Sequence, residues 1–266
     1  MKLSYKSYPA LVLADKGKWE ASHKKAHQII MSQLPYLDKN SDEYRIGWVE
    51  YQLSCNGVML NKPIYFLSDS FTNAAEQNEK KLAELYNNNP NVRNDAYEDC
   101  IIVNKYGYIH IMHTMEDNTI LFITLQKNGA TVHCGVYHKE KDNFSVLFST
   151  KTPEILPSFN GFREIILFKK YASVELDIIE AGKKKEVKNV EREKVINEMG
   201  IDVIMLDSSW FREIIRKEGF KVRGHFRLQP YKNEKGEWTR KIIYIEEFEK
   251  HGYHRKAKIS VDKETI

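Results

Sequence analysis

Between residues 97 and 148, five short runs rich in β-branched, aromatic and aliphatic side chains alternate with turn sequences, and this succession restricts the chain more than any other feature. The runs are Ile101–Asn104, Tyr108–Met115, Thr119–Leu125, Thr131–Tyr137 and Phe144–Phe148. Between them stand Lys105-Tyr106-Gly107, Glu116-Asp117-Asn118, Lys127-Asn128-Gly129 and Lys141-Asp142-Asn143. Gly, Asn and Asp tolerate the backbone angles of tight turns, and connections this short join only antiparallel neighbours. An antiparallel β-meander over 97–188 is therefore expected, continued by strands at Glu164–Phe168 and Ser173–Ile179 after the interruptions at Pro153, Pro157 and Gly161.

The flanking regions have a different texture. Residues 1–96 read as mainly helical: Trp19, Ala26, Ile29, Ile30 and Leu34 recur at roughly helical spacing, and Ala74, Ala75, Leu82 and Leu85 form a clearer face within Asn73–Tyr86. Glu43–Cys55 fits helix and strand equally. Residues 189–266 read as an α/β region. A helix is expected over Val190–Met199, a strand over Ile201–Leu206, and a second helix from a cap at Asp207 or Ser208 to Gly219, with Trp210, Phe211, Ile214 and Ile215 as its apolar face. A β-hairpin follows, Lys221–Gln229 with Thr239–Ile245, turning at Asn233-Glu234-Lys235-Gly236. The fold class is α+β.

The three cysteines, Cys55, Cys100 and Cys134, have neither disulfide-framework nor metal-site spacing, which fits a reducing compartment. No apolar run reaches signal-peptide or membrane-spanning length, so a cytoplasmic protein without membrane association is expected. Charge is uneven. From Ser208 to Ile266 there are 15 Lys+Arg against 9 Asp+Glu, whereas the whole chain carries +4, leaving the rest at −2. A basic C-terminal end suits an anionic partner.

The hairpin concentrates candidate chemistry. Strand alternation places Val222, Gly224, Phe226 and Leu228 on one face, suited to a core, and Arg223, His225, Arg227 and Gln229 on the other. A turn centred on Glu234 and Lys235 sets Tyr231 opposite Trp238, Gln229 opposite Arg240, His225 opposite Tyr244 and Arg223 opposite Glu246. Arginine forks match phosphate, aromatic rings stack on bases, and histidine moves protons near neutral pH. Arg223, Gln229, Arg240 and Trp238, together with Arg255 and Lys256 of the basic tail, are the candidate nucleic-acid contacts. His225, Arg227 and Tyr244 are the candidate catalytic set for a metal-independent ribonuclease, the alternative to simple RNA or DNA binding. A third reading is a non-catalytic regulator or inhibitor that binds a host protein through central-sheet aromatics such as Tyr108 and Tyr137.

No metal site is expected. His110 and His133 would lie two strands apart, roughly 10 Å, too far to share an ion. His113 shares a face with Ile109, Ile111 and Met115 and reads as a satisfied core histidine. His23 and His27 are four apart but lack the intervening glutamate of the zinc-protease pattern. No phosphate-binding glycine loop, dinucleotide fingerprint or nucleophile elbow occurs, and no organic cofactor is expected.

The block Val222-Arg223-Gly224-His225-Phe226-Arg227-Leu228-Gln229, followed by Ile242-Ile243-Tyr244-Ile245 and by Phe248 and His251-Gly252-Tyr253, resembles a recurring C-terminal block of uncharacterised phage, plasmid and other mobile-element proteins. That resemblance implies a mobile-element origin. The order Glu218-Gly219-Phe220, then Gly224-His225, then a hairpin, is also similar to small HicA-type messenger-RNA interferases, with Arg223-Gly224-His225 where that family has Gly-Ser-His. The second resemblance implies a double-stranded-RNA-binding-like fold with a strand histidine.

Overall fold

The computed structural model describes residues 1–150, 155–172, 174–186, 194–207, 220–222, 224–246 and 248–250. The chain divides into two compact units, Met1–Phe211 and Arg212–Ile266.

The first unit begins with a two-residue strand, β1 (Lys2–Leu3), and then helices whose starts are set by side-chain caps. Helix α1 (Lys16–Gln33) opens where the Asp15 carboxylate accepts the Lys18 N–H at 3.2 Å. Helix α2 (Asp42–Ser54) opens where the Ser41 hydroxyl accepts the Tyr44 N–H at 3.1 Å, with Asp42 and Glu43 favourably placed in its first turn. Its buried residues, Val49 and Leu53, are four apart, which resolves the ambiguous Glu43–Cys55 segment as helix. Strand β2 (Ile64–Leu67) is buried at every position and leads through the Ser68 cap into α3 (Asp69–Asn88). A short helix, α4 (Pro90–Asp95), follows.

The meander is present as expected: β3 (Cys100–Val103), β4 (Ile109–Thr114), β5 (Ile120–Leu125), β6 (Thr131–His138) and β7 (Asn143–Ser149) pair antiparallel in sequence order. Each connection holds one residue at positive φ, namely Gly107, Asn118, Gly129 and Asp142. The strand expected at Glu164–Phe168 is instead part of helix α5 (Ile155–Tyr171). Buried Ile155, Phe159, Phe162 and Ile166 recur at spacings of four, three and four, a period that a five-residue window does not show. Pro157 lies in the first turn, where its missing N–H costs nothing.

Strand β8 (Glu175–Ile179) matches expectation over its described residues. Strands β9 (Lys184–Glu186) and β10 (Lys194–Asn197) pair antiparallel, and β10 also pairs parallel with β1. The helix expected at Val190–Met199 is therefore a strand over 194–197; residues 190–193 lie outside the described residues. Tertiary partners decide this segment. Val195 is fully buried, and the buried Asn197 amide donates to the Ile179 and Ile201 carbonyls at 2.9 and 3.1 Å. Strand β11 (Val203–Asp207) then enters the main sheet. The helix expected from Ser208 to Gly219 lies outside the described residues.

Among the described residues the main sheet has eight strands in the order β7-β6-β5-β4-β3-β2-β11-β8, with parallel pairings only at β2–β3 and β2–β11. It draws strands from all three sequence regions, so the boundaries at 96/97 and 188/189 do not separate compact units. One sheet face packs Ile109, Ile111, Leu121, Ile123 and Leu125 against Leu11, Val49 and Leu53. The other carries His110, Phe122 and Thr124, with Phe122 ring-to-ring against Phe159 and Phe162 of α5 and Phe71 of α3 against Phe168. The protein is an α+β fold, and no helix among the described residues is long and apolar enough to cross a membrane.

In the second unit, β12 (Phe220–Val222) pairs antiparallel with β15 (Phe248–Lys250), and β13 (His225–Lys232) with β14 (Trp238–Ile245).

Candidate functional site

The hairpin β13–β14 turns through Asn233–Glu237. The Asn233 carbonyl accepts the Gly236 N–H at 2.9 Å, and the Asn233 N–H donates to the Glu237 carbonyl at 3.0 Å. The Asn233 side-chain oxygen accepts the N–H groups of Lys235 and Glu237, and Gly236 sits at φ 78°. This is a three-residue loop closed by a left-handed glycine, one residue longer than a two-residue turn at Glu234-Lys235.

That added residue shifts every pairing by one and moves β14 side chains to the other face. His225 stands opposite Ile245, Arg227 opposite Ile243, Gln229 opposite Lys241 and Tyr231 opposite Thr239. Tyr244 lies opposite Phe226, with ring centroids 4.7 Å apart and edge to face, and is only 9% exposed. Tyr244 thus belongs to the apolar end of the hairpin and not beside His225, so the proposed catalytic set is divided between the two faces. Arg240 pairs with Pro230 and Trp238 with Lys232, which removes both from the face of Arg227 and Gln229. Arg223, Arg255 and Lys256 lie outside the described residues.

Burial follows the new register. Gly224 and Tyr244 are buried, but every β13 residue from Arg227 to Lys232 is exposed, and even Leu228 is 38% exposed. Each face of the outer half carries a cation over an aromatic ring. Lys232 Nζ lies 5.4 Å from the centre of the Trp238 ring, and Lys241 Nζ lies 5.3 Å from that of Tyr231 on the opposite face. Such pairs hold rings and charges side by side at little entropic cost. Between His225 and Ile245 the ribbon has five Lys/Arg against two Glu. Pro230 lacks an N–H to offer a further strand, which discourages edge-to-edge association.

The two central-sheet aromatics singled out for protein binding, Tyr108 and Tyr137, differ in burial. Tyr137 is 5% exposed; its hydroxyl donates to Asp142 at 2.7 Å and lies 3.2 Å from that of Tyr86. Tyr108 is half-buried. His113 is half-buried and satisfied, with Lys62 Nζ 2.9 Å from its Nδ1. Burial and Lys62 both push its pKa down, against the pull of Asp99.

A second location went unnoticed in the sequence. A cavity of about 450 Å³ lies between the sheet and helices α3 and α5, floored by His110, Thr124 and His133. His110 faces Thr124, which in turn faces His133, so the two histidines are separated by an intervening strand as expected. Across from them stands Glu164, whose carboxyl is pushed up to about 7 by burial and by the neighbouring Glu79, against the pull of Arg163. The strand assignment at Glu164–Phe168 concealed this residue; the helical period of α5 was the signal that would have placed it.

No protein-family model matches this chain, and neither a curated protein nor a solved structure shows detectable similarity to it.

Proposed function

We propose that this protein binds nucleic acid through the exposed outer half of the β13–β14 hairpin. The observation that carries the reading is the pair of cation–aromatic couples, Lys232–Trp238 and Lys241–Tyr231, one on each face of a ribbon with a basic balance. Arg227, Lys232, Arg240 and Lys241 supply phosphate contacts, and Trp238, 72% exposed, supplies a stacking surface. A two-stranded ribbon fits the major groove of B-form DNA, whereas the deep, narrow groove of A-form RNA excludes it, so duplex DNA or unpaired strands are the favoured ligands. The same block resembles mobile-element proteins, and a nucleic-acid-binding protein of such an element is the reading carried forward. The ribonuclease alternative gains no support, because the register pairs Tyr244 with Phe226 and His225 with Ile245.

The test is fluorescence anisotropy with labelled single- and double-stranded DNA and RNA over a salt series. If the four cations each neutralise a phosphate, log K falls against log salt with a slope of about −3 to −4, roughly a hundredfold between 50 and 200 mM. Binding that is absent, insensitive to salt, or unchanged when Arg227, Lys232, Arg240 and Lys241 are all replaced by Ala overturns the reading.

A further inference from the structure

The cavity on the first unit has a defined polarity. Asn104 stands at one end of its floor. The Asn104 side-chain oxygen accepts the N–H groups of Tyr106 and Tyr108, both at 3.0 Å, so its NH₂ points at His110 Nε2, 3.2 Å away. His110 Nε2 is then an acceptor, its proton sits on Nδ1, and Nδ1–H donates to Thr124 Oγ1 at 3.0 Å. His110 is thereby a neutral imidazole. Burial and the adjacent His133 push its pKa down to about 4, consistent with that tautomer.

Thr124 is 2% exposed and, with its oxygen occupied by His110, has a hydroxyl proton with no acceptor among the described residues. A buried donor left in this state costs about 1–3 kcal/mol, which an acceptor atom of a ligand would relieve. The walls add the second half of the specificity. Three glutamates line the cavity, and no Lys or Arg does so among the described residues. Glu76 is matched by Lys105 at 3.5 Å. Glu79 and Glu164 have no ion pair among the described residues. Tyr106, Tyr108 and Phe162 add aromatic surface to the lining.

We propose that this cavity binds a small organic ammonium compound, its cationic nitrogen held by Glu164 and Glu79 and a hydroxyl or carbonyl oxygen accepting from Thr124. The volume of about 450 Å³ lies within the range of small-molecule sites. With His110 neutral and no Lys or Arg in the lining among the described residues, the carboxylates favour a positively charged ligand over an anion of the same shape. Binding requires Glu164 ionised. The charged and titratable groups facing it are Glu79 and Glu76 from α3, Arg163 from its own helix, and His110 and His133 from the sheet, with Lys105 held at Glu76. Because Glu164 titrates near 7, affinity rises with pH through that value and levels off above it.

A matched trio of probes tests the proposal by isothermal titration calorimetry on the full chain: tyramine, uncharged 4-ethylphenol and anionic 4-hydroxyphenylacetate. At pH 8 tyramine should bind at least about tenfold more tightly than 4-ethylphenol, with the anion weakest, since one lost unscreened charge contact is worth about a decade. Tyramine affinity should fall by up to about tenfold per pH unit below 7. Glu164→Gln, isosteric and free of a half-buried charge, should reduce tyramine affinity at least about fivefold while leaving 4-ethylphenol unchanged. Glu79→Gln, on the exposed side, gives the same test without touching the interior. Trp238→Ala should leave tyramine binding unchanged. If tyramine fails to bind, binds no better than 4-ethylphenol, or binds Glu164→Gln and Glu79→Gln as well as the parent, the proposal is overturned.

Discussion

Strands β5 and β13 are both made of alternating side chains, yet one is buried along its whole length and the other is exposed over most of it. Ile120–Leu125 is closed on both faces, by Leu11 and by Val49 and Leu53 of α2 on the side of Leu121, Ile123 and Leu125, and by α5 on Phe122. Among the described residues His225–Lys232 pairs with β14 alone, and its Phe226 end meets the buried Tyr244 ring. Alternation therefore sorts side chains between two faces; what covers each face decides whether it becomes core, cavity or contact surface. The covered face of the main sheet can hold a neutral histidine and a high-pKa glutamate. The open ribbon can hold only groups that water tolerates.

This contrast sets the expected sizes of substitutions. Phe159, 1% exposed and in ring contact with Phe122, Tyr137 and Phe144, should cost about 3–5 kcal/mol of unfolding free energy as Phe159→Ala in denaturant titration. Trp238→Ala should change stability by no more than about 0.5 kcal/mol, yet weaken nucleic-acid binding by about 1–3 kcal/mol in the anisotropy assay. If Trp238→Ala unfolds the protein, the hairpin is not the open surface described. Thr124→Val removes the acceptor of His110 Nδ1–H but also the unmatched hydroxyl proton, so the two effects offset and stability should change by no more than about 1 kcal/mol in thermal or chemical unfolding. Gly236→Ala forces a Cβ into a left-handed turn and should loosen the hairpin by about 1 kcal/mol, read as earlier loss of the Phe226–Tyr244 ring cross-peak on warming.

A further effect separates the regions by pH. Glu164 has a folded pKa of about 7, above its ordinary value of 4.5, so the folded state binds the extra proton between those values. Stability from this group is fully present below about 4.5 and is lost as pH rises through about 7. Acidifying from pH 8 to 5.5 should raise the Tm contribution of this site, and Glu164→Gln should flatten the dependence. No such dependence is expected from Trp238→Ala.

Much of the fold was legible because its signals are local. The meander of β3 to β7 carries its own turns, and α3 shows its apolar face in Ala74, Ala75 and Leu82. Strand β2 escaped notice because four consecutive buried residues show no alternation when both faces are covered. The hairpin was legible as a hairpin, but its register was not. One left-handed glycine lengthened the loop and exchanged Tyr244, Arg240 and Trp238 for Ile243, Lys241 and Thr239 on the face of Arg227.

By itself the sequence determined those features whose free energy is settled within a few residues: the turns at Asn118 and Gly129 and the meander strands they join. Only the tertiary structure decided that 194–197 is a strand, that 155–171 is a helix, and that β2 and β11 join the meander in parallel. It also brought Glu164 across from His110 and Thr124, residues far apart in the chain. The physical reason is range: a cap or turn is stabilised by atoms a few bonds away, whereas burial and the pKa of a buried carboxyl depend on whatever the rest of the chain packs against them.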